Sequence, residues 1–183
     1  MLSTVTRITA AEFLKLPETN LPTELLDGEV IMAPAPTLDH QDVVLNLATL
    51  ILKLKPGGKV VISPVDVELD EENVVQPDVM WVSPESKCVP VQKKNYRGAP
   101  DLVAEVFSPG TARTDKSKKF KLYEKYGTRE YWMADPEGQY LEVWRREGER
   151  FAPLGVFGPG EIFVSTVLGD QTINVSEVFA AQS

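Results

Sequence analysis

Apolar positions along the chain recur with two periods, and the switches between them mark out its elements. Residues 6–18, "TRITAAEFLKLPE", set a Thr9 cap three residues ahead of Glu12, with apolar spacing that suits a short helix. "TELLDGEVIM" then reads as a hairpin, Glu24 to Leu26 and Glu29 to Met32 about an Asp27-Gly28 turn. Val43, Val44, Leu47, Leu50, Ile51 and Leu54 return to helical spacing, and Pro56-Gly57-Gly58 stops that helix.

The next runs favour strands. Residues 59–69 read as one strand with a break at Pro64, and residues 73–83, "NVVQPDVMWVS", as another. Residues 84–100 are polar and proline-flanked, the composition of a mobile loop. "DLVAEVF" (101–107) is a strand, followed by a helix from about Thr114 to Tyr126 that Gly127 closes. "EYWMAD", the turn "PEGQ" and "YLEVWRRE" form a second hairpin, and residues 161–180 add one or two short strands and a terminal helical turn. The expected class is α/β (α+β): a central mixed sheet flanked by helices, with an N-terminal β-hairpin, in one domain spanning residues 1–183.

Composition narrows the chemistry. One cysteine, Cys88, excludes an internal disulfide, and one histidine, His40, excludes a multi-histidine metal site. No secretion signal or membrane-length apolar run is visible, so the expected compartment is the cytoplasm and no membrane partner is expected. The net charge of −8 argues against coating-type binding to nucleic acid, but the charge is uneven. From Lys87 to Arg129 eleven basic residues face four acidic ones, leaving that segment at +7 and the remainder at −15. A basic run is most often a solvated face. It gains meaning only beside acidic metal ligands.

Such ligands are present. "PDLVAEVF" puts Asp101 and Glu105 four residues apart, on one face of an apolar strand. Asp101 follows Pro100 at the strand entry, where a capping or loop hydrogen bond is expected. Glu105 lies deep in the strand and would cost several kcal/mol if buried without a partner. Asp78 stands in "QPDV" on a different strand. Two strand carboxylates with a lysine nearby make the smallest set for divalent-metal phosphodiester hydrolysis, because Mg²⁺ takes hard oxygen ligands and a cation is needed where negative charge develops.

Pro77-Asp78 followed by Glu105-Val106-Phe107 resembles the PD-(D/E)xK nuclease pattern, with Phe107 where the lysine should stand. "TELLDGE", His40 after "APAPTLD", "QPDV", "PDLVAEVFSPGT", Asp115…Lys119…Tyr123 and "EYWMADP" together resemble one branch, the Uma-two restriction-endonuclease family of bacteria, over about residues 7–145. Gly110 and Thr23 depart from that pattern. The resemblance implies a restriction-endonuclease-like core, with Asp78 and Glu105 as ligands of Mg²⁺ (Mn²⁺ the alternative). It also implies a catalytic lysine relocated to the helix at Lys119, and Glu24 completing the site or orienting a water. Arg113, Lys116, Lys118 and Lys121 would meet phosphates or solvent.

The expected activity is metal-dependent endonucleolytic hydrolysis of nucleic acid, DNA foremost, by a homodimer. The alternative is an inactive nucleic-acid-binding or accessory protein that retains the fold. Lys119 could instead form a plain i,i+4 pair with Asp115, and His40 is expected as a hydrogen-bonding residue near a helix start rather than a base. The aromatic set Tyr131, Trp132, Tyr140 and Trp144 is expected to pack or to form a dimer face. An esterase built on Ser63 or Ser108 has no G-x-S-x-G elbow to support it.

Overall fold

In the computed structural model, the described residues are 7–17, 19–54, 57–108 and 115–181, with the side chains of Asp115 and Lys116 outside the description. The class is mixed α/β, but the strands divide between two six-stranded sheets and a two-stranded ribbon rather than one central sheet.

The first sheet holds β1 (Thr23–Leu26), β2 (Glu29–Met32), β4 (Val67–Asp70), β5 (Asn73–Val75), β7 (Val89–Val91) and β8 (Asn95–Arg97), in the order β2-β1-β5-β4-β8-β7. Its first hairpin turns through Asp27 (φ 53°) and Gly28 (φ 78°), both left-handed, which matches the twist of the flanking strands. The second sheet holds β3 (Lys59–Ile62), β6 (Val79–Val82), β9 (Leu102–Val106), β10 (Glu130–Asp135), β11 (Tyr140–Glu147) and β12 (Arg150–Phe157), in the order β12-β11-β10-β9-β6-β3. β9 and β10 run parallel and the other neighbours antiparallel. β13 (Ile162–Ser165) and β14 (Gln171–Asn174) form the ribbon.

Strand alternation divides the second sheet's side chains between two cores. Val79, Trp81, Leu102, Ala104, Val106 and Trp132 face α2 (Leu38–Leu54) and the C-terminal segment. Met80, Val82, Val103, Tyr131 and Met133 face the other way, toward Leu26, Val67 and Val75 of the first sheet and Leu122 and Tyr123 of α3 (Phe120–Tyr126). The outer face of the first sheet is covered by α1 (Ala10–Phe13), whose Thr9 and Glu12 form a reciprocal capping box. Among the described residues no helix is long and apolar enough to cross a membrane.

Several expectations are corrected. Residues 73–83 are two strands, because Gln76-Pro77 carries the chain out of the first sheet and into the second. The same transfer separates β3 from β4 about Pro64. Residues 84–100 form the β7–β8 hairpin, with Cys88 and Tyr96 buried, rather than a solvated loop. β12 is an eight-residue strand missed in the pattern; it tolerates Pro153 and Gly155 because it is an edge strand, where a missing N–H need not face a neighbour. The helix to Tyr126 begins as a π-helical turn, Asp115–Lys119, and Gly127 caps it at φ 93°; Thr114 lies outside the described residues. Tyr131 and Trp132 are fully buried, so that pair packs and offers no dimer face.

One buried carboxylate ties the ribbon to the second sheet. Glu130 is fully buried and accepts from Trp132 Nε1 (3.1 Å), Arg145 Nε (3.3 Å), Ser165 Oγ (2.8 Å) and the Thr166 backbone N–H (3.1 Å).

Candidate functional site

Four elements converge where the two sheets meet α3. On β1, Glu24 shares a face with Leu26, which packs into the core between the sheets, while Leu25 faces α1. On β9, Glu105 shares the face of Val103 and points into the same interior, 1% exposed. Lys119 ends the π-helical turn that leads into α3 and is 5% exposed.

These side chains form one network. Lys119 Nζ lies 2.9 Å from Glu24 Oε1 and 3.1 Å from Glu105 Oε1. The Tyr123 hydroxyl, one helical turn after Lys119, donates to Glu105 Oε1 at 2.8 Å. Burial, with the adjacent Glu105 carboxylate, holds the Tyr123 proton well above the ordinary phenol range, so it stays a donor. Lysine and tyrosine together compensate the buried glutamate, which answers the cost of placing an acid in that strand.

The strand break supplies the next contacts. The Gln76 backbone N–H donates to Glu24 Oε1 (2.7 Å), and its side-chain amide donates to Asp66 Oδ1 (2.9 Å). Burial raises the Asp66 pKa above its ordinary value near 3.8, and the Gln76 bond opposes that rise. Pro77 then delivers Asp78 to the start of β6. The β6–β9 register, Val79 opposite Ala104 and Met80 opposite Val103, carried one step further sets Asp78 opposite Glu105. Asp78 Oδ2 accepts the Val106 backbone N–H (2.8 Å) and lies 3.3 Å from His40 Nε2 on α2.

The expected residues therefore fall into groups. Glu24 and Glu105 both contact Lys119, and Asp78 sits opposite Glu105 on the neighbouring strand. Asp101 lies at the strand entry, accepting the Ser83 N–H at 2.9 Å through its carboxylate and pairing with Arg129 at 3.8 Å. His40 takes part through its ring, by touching Asp78, beyond the helix-start contact of its N–H with Thr37 Oγ1. Lys118 is not directed to open solvent alone, since it pairs with Asp27 at 3.4 Å; Lys121 is exposed. Arg113 and the side chains of Asp115 and Lys116 fall outside the described residues, and with them the Asp115–Lys119 pair. Arg97 and Lys125 also meet acids, Glu68 (3.0 Å) and Asp70 (3.7 Å), so part of the basic excess is neutralised locally.

Gln76 and Asp66 had no place among the candidates. "QPD" contained the only hint of Gln76, and nothing local marks Asp66, which reaches the site because β4 lies beside β5.

The layered fold is of the restriction-endonuclease-like class. The fold matches the crystal structure of a "putative nuclease belonging to DUF820" from Anabaena variabilis, with a TM-score of 0.79, 22% identity, and coverage of 94% of this chain and 98% of that one. Residues 10–176 match the Uma2 family model, described as "Putative restriction endonuclease", and the chain belongs to that family. It is also 29% identical to an uncharacterized protein of Synechocystis sp. over 156 residues, 82% of this chain and 87% of that protein. A second uncharacterized Synechocystis protein is 30% identical over 105 residues, 55% of this chain and 53% of the other.

Proposed function

We propose that the protein is a divalent-metal-dependent nuclease that hydrolyses phosphodiester bonds, with DNA as the expected substrate. The observation that carries this reading is the contact of buried Lys119 with Glu105 and Glu24, next to the strand carboxylate of Asp78. It supplies a helix lysine where Phe107 has replaced the strand lysine, and Phe107 itself is buried in the core between the sheets.

The residues suit a hard cation. Carboxylate oxygens predominate, and Asp78 Oδ1 has no hydrogen-bond donor among the described residues while Oδ2 is held by the Val106 N–H. Among the described residues no three His, Cys, Asp or Glu side chains form a ready-made cage, so water or phosphate oxygens would complete the shell, as Mg²⁺ usually requires. Asp78 and Glu105 are the residues that would hold the ion. When bound, it would polarise the phosphoryl group and acidify the attacking water.

The chain's own groups would do the rest. Lys119 places a fixed positive charge where negative charge accumulates on phosphorus. Glu24 orients that ammonium, and the Gln76 N–H fixes Glu24. Tyr123 sets the rotamer of Glu105. Lys118, Lys121 and the segment with Arg113 and Lys116 would meet the backbone of the nucleic acid.

The test is incubation with single-stranded, duplex and branched DNA and with RNA, in Mg²⁺ or Mn²⁺, beside Asp78→Ala and Glu105→Ala. Cleavage that needs metal and vanishes in both variants is expected; equal activity in wild type and variants would overturn the reading. One observation favours a second reading, a non-cleaving nucleic-acid-binding protein: Glu105 Oε1 is already engaged by Lys119 and Tyr123. That protein would bind nucleic acid in EDTA with a salt dependence set by its lysines, and would cut nothing.

A further inference from the structure

The outward face of α2 carries Leu38, Leu45 and Leu52, which are 84%, 53% and 59% exposed. They are spaced by seven residues, so they drift by only about 20° per step and form one apolar line. At 1.5 Å per residue the line is about 21 Å long. Isolated exposed leucines are ordinary on a protein surface. Three in register along one helix, whose opposite face packs Val43, Val44, Leu47 and Ile51 into the core, resemble the seam of a helix pair.

We propose that this seam is covered by α2 of a second copy of the chain, packed antiparallel about a two-fold axis at Leu45. Charge selects the occupant and its direction. Exposed Asp39 and half-buried Asp42 flank the seam near the N-terminal end of the helix, and exposed Lys53 flanks it on the same side near the C-terminal end. A two-fold axis perpendicular to the helices keeps that side common to both copies. It sets Lys53 of one copy about 3 Å along the axis from Asp39 of the other, and about 7.5 Å from its Asp42. A parallel pair, with its two-fold axis along the helices, would instead put the charged flanks on opposite sides of the seam, leave Lys53 without an acid across it and align the helix dipoles. Leu45 meets its own counterpart, and Leu38 meets Leu52.

The pairing is independent of the nuclease reading. His40 projects from the opposite side of α2 toward Asp78, so the acid–lysine cluster stays uncovered. One helix pair buries less than a standard interface, which puts the assembly in the weak, concentration-dependent class.

Sedimentation velocity of the full chain from about 1 to about 300 µM reads the equilibrium directly. A reversible dimer is expected, with its Kd raised at least about tenfold in Leu45→Glu. Circular dichroism confirms that this half-exposed substitution leaves the fold intact. Lys53→Glu weakens the dimer as well, and combining it with Asp39→Lys and Asp42→Lys restores association. A wild type that stays monomeric throughout the range overturns the proposal, as does a Leu45→Glu, Leu52→Glu variant that dimerises as tightly as wild type. Failure of the charge exchange to restore association overturns the antiparallel arrangement.

Discussion

Lys119 Nζ stands 3.1 Å from Glu105 Oε1, with both side chains inside the protein and Glu24 closing the triad from the other sheet. Removing the lysine leaves two acids in a low-dielectric interior without their cation. Lys119→Met is therefore expected to cost about 3–5 kcal/mol in urea unfolding, the range for breaking a buried pair from one side. Adding Glu105→Gln should recover a large part of that loss, because the stranded charge goes with it. A second substitution that deepens the destabilisation would show the two residues to be energetically independent. In the proposed nuclease, Lys119→Met should also abolish cleavage.

Asp66 gives a pH signature with a definite sign. Its folded pKa is raised by burial, so the native state binds the proton more tightly than the unfolded chain does. The ionised form is thus a net cost at neutral pH. That cost disappears as the pH falls through the raised folded pKa to below the ordinary value near 3.8, where both states are protonated. Asp66→Asn keeps an oxygen for the Gln76 amide and removes the charge. Thermal unfolding should show the variant more stable than wild type at pH 7, with the difference narrowing toward acid. An advantage that grows on acidification would contradict the assignment.

Burial and the nearby Asp101 carboxylate push the Cys88 thiol up to about 12. Native protein at pH 8 should react with a disulfide reagent far more slowly than a free thiol does, and urea should restore ordinary reactivity. Labelling at an ordinary rate in the native state would mean that the β7–β8 hairpin opens readily.

Alternation and capping made the hairpin at Asp27-Gly28, α2 and the β9 strand legible from residues alone, since each depends on neighbours within one turn or one strand. The approach of Lys119 to Glu105 was expected through the family resemblance, with Phe107 standing where that pattern has a strand lysine, rather than from the residues alone. What escaped depends on distance along the chain. Valines on both sides of Gln76-Pro77 read as one strand, although the proline marked a change of sheet. Pro153 and Gly155 concealed β12, because an edge strand relaxes the rules that a central strand obeys. His40 meets Asp78 only once α2 packs on the second sheet, and Gln76 meets Asp66 only once β4 pairs with β5.

Glu130 offers a test remote from the candidate site. Its carboxylate collects Trp132, Arg145, Ser165 and Thr166 in a fully buried position. Glu130→Ala leaves several donors unmatched and takes from Arg145 its carboxylate, though not its bond to the Val164 carbonyl, at an expected cost of about 3–5 kcal/mol. Chemical denaturation measures it. A loss below about 1 kcal/mol would mean that water replaces the carboxylate without difficulty.

The change of sheet at Gln76-Pro77 leaves the candidate site divided between layers. Glu24 belongs to one sheet, Asp78 and Glu105 to the other, and Lys119 to the helical segment between them. No single sheet carries the whole set. In the proposed nuclease, a chain still emerging from the ribosome, or one whose layers have come apart, would hold only fragments of the cutting centre, and cleavage would require both sheets and the helical segment to be docked.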